Sequence, residues 1–136
     1  MNGRKPLQRV LVVDDEPENL EAIRRELEPW LAQRRVSMDF CESGEEALEL
    51  MHNVRYAVLL TDHRMPGMAG TELVQQVAKS YPSTVSMILT GHTEKQDIAD
   101  ALSAGVYSFM TKPWDAEVLR REIEGAIEAH RIRSRP

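Results

Sequence analysis

Four apolar runs of this 136-residue chain each lead into a polar side chain able to do chemistry. RVLVVDD (9–15) ends on Asp14 and Asp15, and YAVLLTD (56–62) ends on Asp62. TVSMILTG (84–91) carries Thr90, and VYSFMTKP (106–113) carries Lys112 ahead of Pro113. Carboxylates gathered in one place repel one another unless a cation joins them. Hard oxygen donors in small number suit Mg²⁺, which keeps several of its waters. An ammonium and a hydroxyl beside such a cation form a site for a dianionic phosphoryl group. A carboxylate next to that site can act as a nucleophile and become an aspartyl phosphate. Taken singly, each residue has a plainer role. Asp62 could form a turn or cap a helix, and Asp14 and Asp15 could favour the start of a helix through its dipole. Thr90 could be an ordinary strand exit and Lys112 a solvated surface lysine. The chemical reading depends on all of them being brought to one place.

The surrounding sequence predicts how that happens. The four runs read as strands, and VSMDFCES alternates as a further strand. Between them lie helical patterns. PENLEAIRRELEPWLAQRR has Leu20, Ile23, Leu27 and Leu31 at helical spacing and Pro17 at its start, with a break or kink expected at Pro29. SGEEALELMHN opens with Ser43 and Glu46 at capping-box spacing. GTELVQQVAKSYP turns Leu73, Val74 and Val77 inward, and TEKQDIADALSAG is expected to turn Ile98, Ala101 and Leu102 inward before stopping at Gly105. The last helix places Leu119, Ile123, Ala126 and Ile127 on one face, with Gly125 weakening it by about 1 kcal/mol relative to alanine. Strict alternation gives an α/β, (βα)5 doubly wound five-stranded parallel sheet. Active groups of such sheets gather outside the carboxyl ends of the strands, where the four runs end.

Composition narrows the function classes. Hydrophobic residues make up 42% and charged residues 29%, an ordinary soluble mixture for one domain. The net charge of −5 argues against a general nucleic-acid-binding surface. Cys41 is the single cysteine and implies no internal disulfide. No stretch approaches the roughly 20 apolar residues of a membrane span. A cytoplasmic protein with no membrane contact is expected. Residues 1–7 read as an N-terminal tail, 8–130 as the domain, and 131–136 as a C-terminal tail or linker stub. His52, His63, His92 and His130 show no metal-ligand spacing and read as surface residues, although His63 and His92 adjoin the candidate site. Trp30 and Trp114 read as packing residues, and Arg131, Arg133 and Arg135 as a solvated helix end.

The motifs VLVVDDEP, LLTDHRMPGMAG, ILTGHT and SFMTKPW, in this order, resemble those of the response-regulator receiver domain of two-component signalling, over roughly residues 8 to 130. The resemblance implies a flavodoxin/CheY-like fold with Asp62 as phosphoacceptor. It makes Asp15 a direct Mg²⁺ ligand, Asp14 a supporting one, and the backbone carbonyl of Arg64 a third protein ligand beside Asp62. Thr90 becomes the switch hydroxyl, Phe109 the switch aromatic, and Lys112 the partner of the phosphoryl group, with a cis Lys112–Pro113 bond. The implied donor is a histidine kinase or histidine phosphotransfer protein. The implied readout is an output domain or downstream protein, reached through the face made by the fourth helix, fifth strand and fifth helix. A homodimer through that face is left open, and direct nucleic-acid binding is not expected. The KPW ending resembles receivers seen with HD-GYP outputs or in hybrid systems, and a stand-alone regulator and a receiver with an output domain beyond Pro136 are both left open. Arg64 and His92 stand two residues beyond Asp62 and Thr90, where they would admit or exclude the water that hydrolyses an aspartyl phosphate. Both are bulky, and Arg64 could lie across the phosphoryl oxygens, so a lifetime of minutes or longer is expected.

Two other classes fit less well. A Mg²⁺-dependent aspartyl phosphohydrolase needs a second acid two residues after its nucleophile, where this chain has Arg64. A flavin-binding electron carrier needs a phosphate loop rich in Ser, Thr and Gly after the first strand, where this chain has DDEPEN.

Overall fold

The computed structural model describes residues 6–136. Its strands are β1 (Gln8–Val13), β2 (Val36–Cys41), β3 (Val58–Thr61), β4 (Val85–Thr90) and β5 (Ser108–Thr111). Its helices are α1 (Pro17–Ala32), α2 (Gly44–Asn53), α3 (Gly70–Ser80), α4 (Lys95–Ala104) and α5 (Ala116–Arg133). All pairings are parallel and the strand order is β2-β1-β3-β4-β5. This is the expected doubly wound (βα)5 sheet. β3 and β4 are buried along their whole length, whereas β2 and β5, at the sheet edges, are partly open. That difference explains why the central runs are mostly apolar while VSMDFC alternates.

Successive strand residues feed two cores. Val10, Val12, Val58, Leu60 and Met87 pack with Leu20, Ile23, Leu27 and Leu31 of α1 and with Leu119 and Ile123 of α5. Leu11, Val13, Leu59 and Ile88 face the other side and pack with Ala47 and Met51 of α2, Leu73, Val74 and Val77 of α3, and Ala101 and Ala104 of α4. Right-handed crossovers account for this division, because the chain reverses its direction across the sheet after β2. α1 therefore lies on one face and α2, α3 and α4 lie on the other. Trp30 and Trp114 are partly buried against the α1/α5 core, consistent with a packing role.

Several expectations need correction. α1 runs unbroken through Pro29 to Ala32, although that proline lacks the amide that would donate to the Arg25 carbonyl. Leu27 and Leu31, both fully buried, anchor the turn on either side of it. α5 runs to Arg133, so Arg131 and Arg133 lie in its last turn, as the reading of a helix end there expects. Residues 1–5 of the expected N-terminal tail lie outside the described residues. β3 and β5 are shorter than the apolar runs that contain them. His63 and His130 are buried rather than on the surface, and the His130 ring pairs through Nδ1 with the Ser83 carbonyl at 2.8 Å.

The face of α4 also differs. Ala101 is buried as expected, but Ile98 and Leu102 point outward, at 39% and 69% exposure. Asp97 and Ala104 are buried in their place. An acid on the inner face of a helix requires partners, and Asp97 finds them in the loop after β3. A Cβ at Gly125 would meet the Tyr107 hydroxyl, the far end of an exposed side chain that can swing aside.

Cys41 is buried, and burial pushes its thiol up to about 12. The thiolate is the reactive form. The native protein should therefore resist iodoacetamide near neutral pH and react once unfolded, as intact-mass measurement with and without denaturant would show.

Candidate functional site

Strand register brings the site together. Val13 of β1 pairs with Thr61 of β3, so the next residues, Asp14 and Asp62, emerge side by side. Thr90 pairs with Thr111, which places Lys112 one step beyond Thr90 on the neighbouring strand. The ladder continues past the strand ends, because the Asp62 amide donates to the Val13 carbonyl and the Lys112 amide to the Thr90 carbonyl, both at 2.9 Å. Four separate runs of sequence thus converge at one carboxyl edge.

The charged groups meet there. Lys112 Nζ lies 2.6 Å from Asp14 Oδ2 and 3.3 Å from Asp62 Oδ2. Asp14 and Asp62 are buried, and one ammonium offsets part of the repulsion between them. The other oxygen of Asp14 accepts from the Glu16 amide at 2.9 Å and from Asn19 Nδ2 at 3.3 Å. The other oxygen of Asp62 accepts from the His63 amide at 2.7 Å. Both carboxylates are therefore fixed in orientation. Thr90 is fully buried, and its Oγ1 accepts from the His92 amide at 3.2 Å. Phe109 is half-buried and packs against the core on the α2/α3/α4 face. The Lys112–Pro113 peptide bond is cis.

The donor set suits a hard cation. Carboxylate oxygens of Asp14, Asp15 and Glu16 lie within 4.8 Å of one another. Asp62 belongs to the same site through the Lys112 ammonium it shares with Asp14. Oxygen donors alone, without sulfur or imidazole among them, fit Mg²⁺. Sequence reasoning does not pick out Glu16 or Asn19. Their place in the DDEPEN stretch after the first strand is the signal that could have found them.

Glycines shape the loop after Asp62. Gly67 has φ 77, the left-handed region that favours glycine. Gly70 donates its amide to the His63 carbonyl at 2.7 Å, and a Cβ on it would overlap the Asp62 carbonyl oxygen. The turn through Met65 and Pro66 is closed by these two positions.

The Arg64 side chain, considered from sequence as a cover for the phosphoryl oxygens, is turned toward α4. Its Nε donates to Asp97 Oδ1 at 3.1 Å and its Nη2 to Asp97 Oδ2 at 2.9 Å. Glu94 Oε1 lies 3.3 Å from the same Nη2. His63 Nε2 is 3.2 Å from Asp97 Oδ1. Burial alone would raise the Asp97 carboxyl, but the Arg64 hydrogen bonds, the Glu94 amide and the neighbouring charges overcome it and hold the group below the usual carboxylate range. His92 is exposed. Asp97 does not stand out in the sequence, where it reads as an ordinary acid in the first turn of a helix.

A family model for the response regulator receiver domain matches residues 10–124. Over 121 residues the chain is 36% identical to the hydrogenase transcriptional regulatory protein HoxA of Cupriavidus necator, covering 88% of this chain and 24% of that protein. It is 32% identical over 127 residues to the DNA-binding transcriptional regulator NtrC of Escherichia coli, covering 93% of this chain and 26% of that one. The chain thus spans about a quarter of the length of these relatives. Among solved structures, the signal receiver domain of an HD domain-containing protein from Pseudomonas fluorescens superposes with a TM-score of 0.85 at 27% identity, covering 94% of this chain and 98% of that one. Fold, motif order and relatives agree, and the chain belongs to the response regulator receiver domain family of two-component signalling.

Proposed function

We propose that Asp62 accepts a phosphoryl group from a phosphohistidine on a histidine kinase or histidine phosphotransfer protein. The phosphorus–nitrogen bond breaks as the bond to the Asp62 oxygen forms, and the electron pair leaves with the imidazole. The observation that carries this reading is the meeting of Asp14, Asp62 and Lys112 at one carboxyl edge, with Thr90 one strand away. Lys112 offsets charge on the phosphoryl oxygens, and the fixed orientation of Asp62 presents the nucleophile without reorganisation. Mg²⁺, held by Asp14, Asp15, Asp62 and the Arg64 carbonyl, with Glu16 close by, supplies further neutralisation of phosphoryl charge when bound. The domain promotes only its own phosphorylation and dephosphorylation. It acts on no separate substrate.

The output reading follows from the same groups. The Thr90 hydroxyl meets the phosphoryl group, Phe109 turns inward, and the face of α4, β5 and α5 changes. Ile98, Leu102, Tyr107 and Val118 are exposed around this face and offer apolar area to an output domain, a downstream protein or a second copy. The domain, over residues 8–130, works in the cytoplasm without contacting nucleic acid or membrane itself. Among the described residues, no helix is long and apolar enough to cross a membrane.

Incubation with acetyl phosphate tests the chemistry. Label should be incorporated only when Mg²⁺ is present, and a chelator added before the donor should prevent it. After donor removal, decay should take minutes or longer, because neither Arg64 nor His92 is a carboxylate or amide suited to orient an attacking water. Incorporation that is indifferent to Mg²⁺ overturns the site assignment. Decay within seconds, or rates unchanged in Arg64→Ala and His92→Ala, overturns the role of those two residues in lifetime.

A further inference from the structure

The loop that follows Asp62 is tied to α4 by a buried polar chain. His63 touches both ends of it. Its backbone amide donates to Asp62 Oδ1 at 2.7 Å, and its ring Nε2 lies 3.2 Å from Asp97 Oδ1. The Nε2 edge of the ring thus faces the Asp97 carboxylate. Nδ1 of the same ring is buried with no hydrogen-bond partner among the described residues. Arg64 adds the two-pronged grip on Asp97 already described, a geometry that a lysine could not reproduce. Asp97 also accepts from the Glu94 amide at 3.0 Å, so the same carboxylate fixes the helix start. It is 3% exposed.

The apolar contacts of α4 make this attachment important. Ala101 and Ala104 are its buried apolar residues, whereas Ile98 and Leu102 face outward. Small side chains give little burial to set the rotation of a helix on the sheet. Asp97 lies on the same stripe as Ala101 and Ala104, at the spacing of one helix face. Rotation that buried Ile98 and Leu102 would pull Asp97 away from Arg64 and His63.

We propose that Asp97 is a positioning residue that clamps the first turn of α4 to the loop beside Asp62 through His63 and Arg64, and so keeps Ile98 and Leu102 on the outer surface. The clamp gives the phosphorylation site a connection to α4 separate from Thr90 and Phe109. A change at Asp62 Oδ1 alters the His63 amide bond directly, and the His63 ring is already on Asp97. This consequence for signalling rests on the phosphoacceptor reading. The clamp itself does not.

Amide hydrogen exchange, followed by NMR in the absence of any phosphodonor, tests the clamp. Exchange across residues 95–104 should rise at least tenfold in Asp97→Asn and in Arg64→Ala, with the amides of α5 unaffected. Asp97→Asn keeps the side-chain shape and Arg64→Ala alters a half-exposed residue, so the two variants guard against a folding failure in either. Arg64→Lys should fall between wild type and Arg64→Ala. The double variant should exchange no faster than the faster single variant, because both substitutions break one assembly. α4 exchange within twofold of wild type, or additive effects in the double variant, overturns the clamp. A second arm adds beryllofluoride as a stand-in for the phosphoryl group. The methyl signals of Ile98 and Leu102 should shift in the wild type and shift by less than half as much in Asp97→Asn. An undiminished response in that variant overturns the coupling to Asp62. If beryllofluoride leaves the wild-type Asp62 signals unmoved, the phosphoacceptor reading fails, and the exchange arm still decides whether the clamp exists.

Discussion

Asp62→Asn is expected to take up no phosphoryl group from acetyl phosphate while folding as well as the wild type. The amide nitrogen and oxygen of asparagine occupy nearly the same space as the carboxylate, so packing beneath the site is kept. The carboxylate charge and its nucleophilic oxygen are lost. Asp14 and Asp62 share the Lys112 ammonium, and removing one negative charge leaves a simple Asp14–Lys112 pair at 2.6 Å. Like-charge repulsion falls, so the melting temperature without Mg²⁺ should stay level or rise. Lys112→Ala should behave differently. It leaves two buried carboxylates with no ammonium between them, lowering stability, and it should slow labelling about a hundredfold rather than abolish it. Phosphate incorporation and thermal melts on the three proteins separate the two roles. Full-stoichiometry labelling of Asp62→Asn would place the phosphoacceptor elsewhere.

Most of the architecture is legible in the sequence because the central strands announce themselves. β3 and β4 are buried on both faces, which forces runs that are apolar apart from Thr61 and Ser86 and makes Asp62 and Thr90 at their ends conspicuous. α1, α3 and α5 bury the residues their spacing picks out, since each lays a stripe of large apolar side chains on the sheet. α4 escapes such a reading because its inner face is held by a different kind of force. Hydrophobic periodicity assigns Ile98 and Leu102 to the core, and it cannot register an acid drawn inward by an arginine and a histidine more than thirty positions earlier. The same long-range contact hides the burial of His63 and the direction of Arg64. Pro29 misleads because burial of Leu27 and Leu31 on either side carries the helix past the one hydrogen bond the proline forgoes. In the site itself, strand-end residues are visible because register alone positions them. Glu16 and Asn19 are not, because they come from the turn and the first turn of α1, where the path of the backbone decides what reaches Asp14.

Gly70→Ala is expected to disable the site from a position that carries no functional group. Gly70 begins α3, where alanine is normally the better residue. Propensity alone would make the substitution stabilising. Close approach of two backbone segments reverses the sign. The Gly70 amide donates to the His63 carbonyl at 2.7 Å, and this contact holds the α3 start so near β3 that an added Cβ would overlap the Asp62 carbonyl oxygen. The obstacle is backbone and cannot rotate away as a side chain would. Either α3 shifts outward, losing contacts of Leu73, Val74 and Val77 with the core, or the Asp62–His63 peptide moves. Overpacking of this kind costs about 1–3 kcal/mol. A loss near the upper end should lower the melting temperature by roughly 10 °C. Moving the peptide would also displace the His63 amide from Asp62 Oδ1 and disturb the loop that carries the Arg64 carbonyl, so Mg²⁺-dependent labelling should fall at least tenfold even below the melting transition. Gly91→Ala is the control, because a Cβ at that glycine meets nothing within 4 Å. Melting curves and labelling rates for the two variants decide the matter. A Gly70→Ala protein that melts with the wild type and labels at the same rate would mean that the loop after Asp62 yields freely, and that backbone contact does not hold the nucleophile in place.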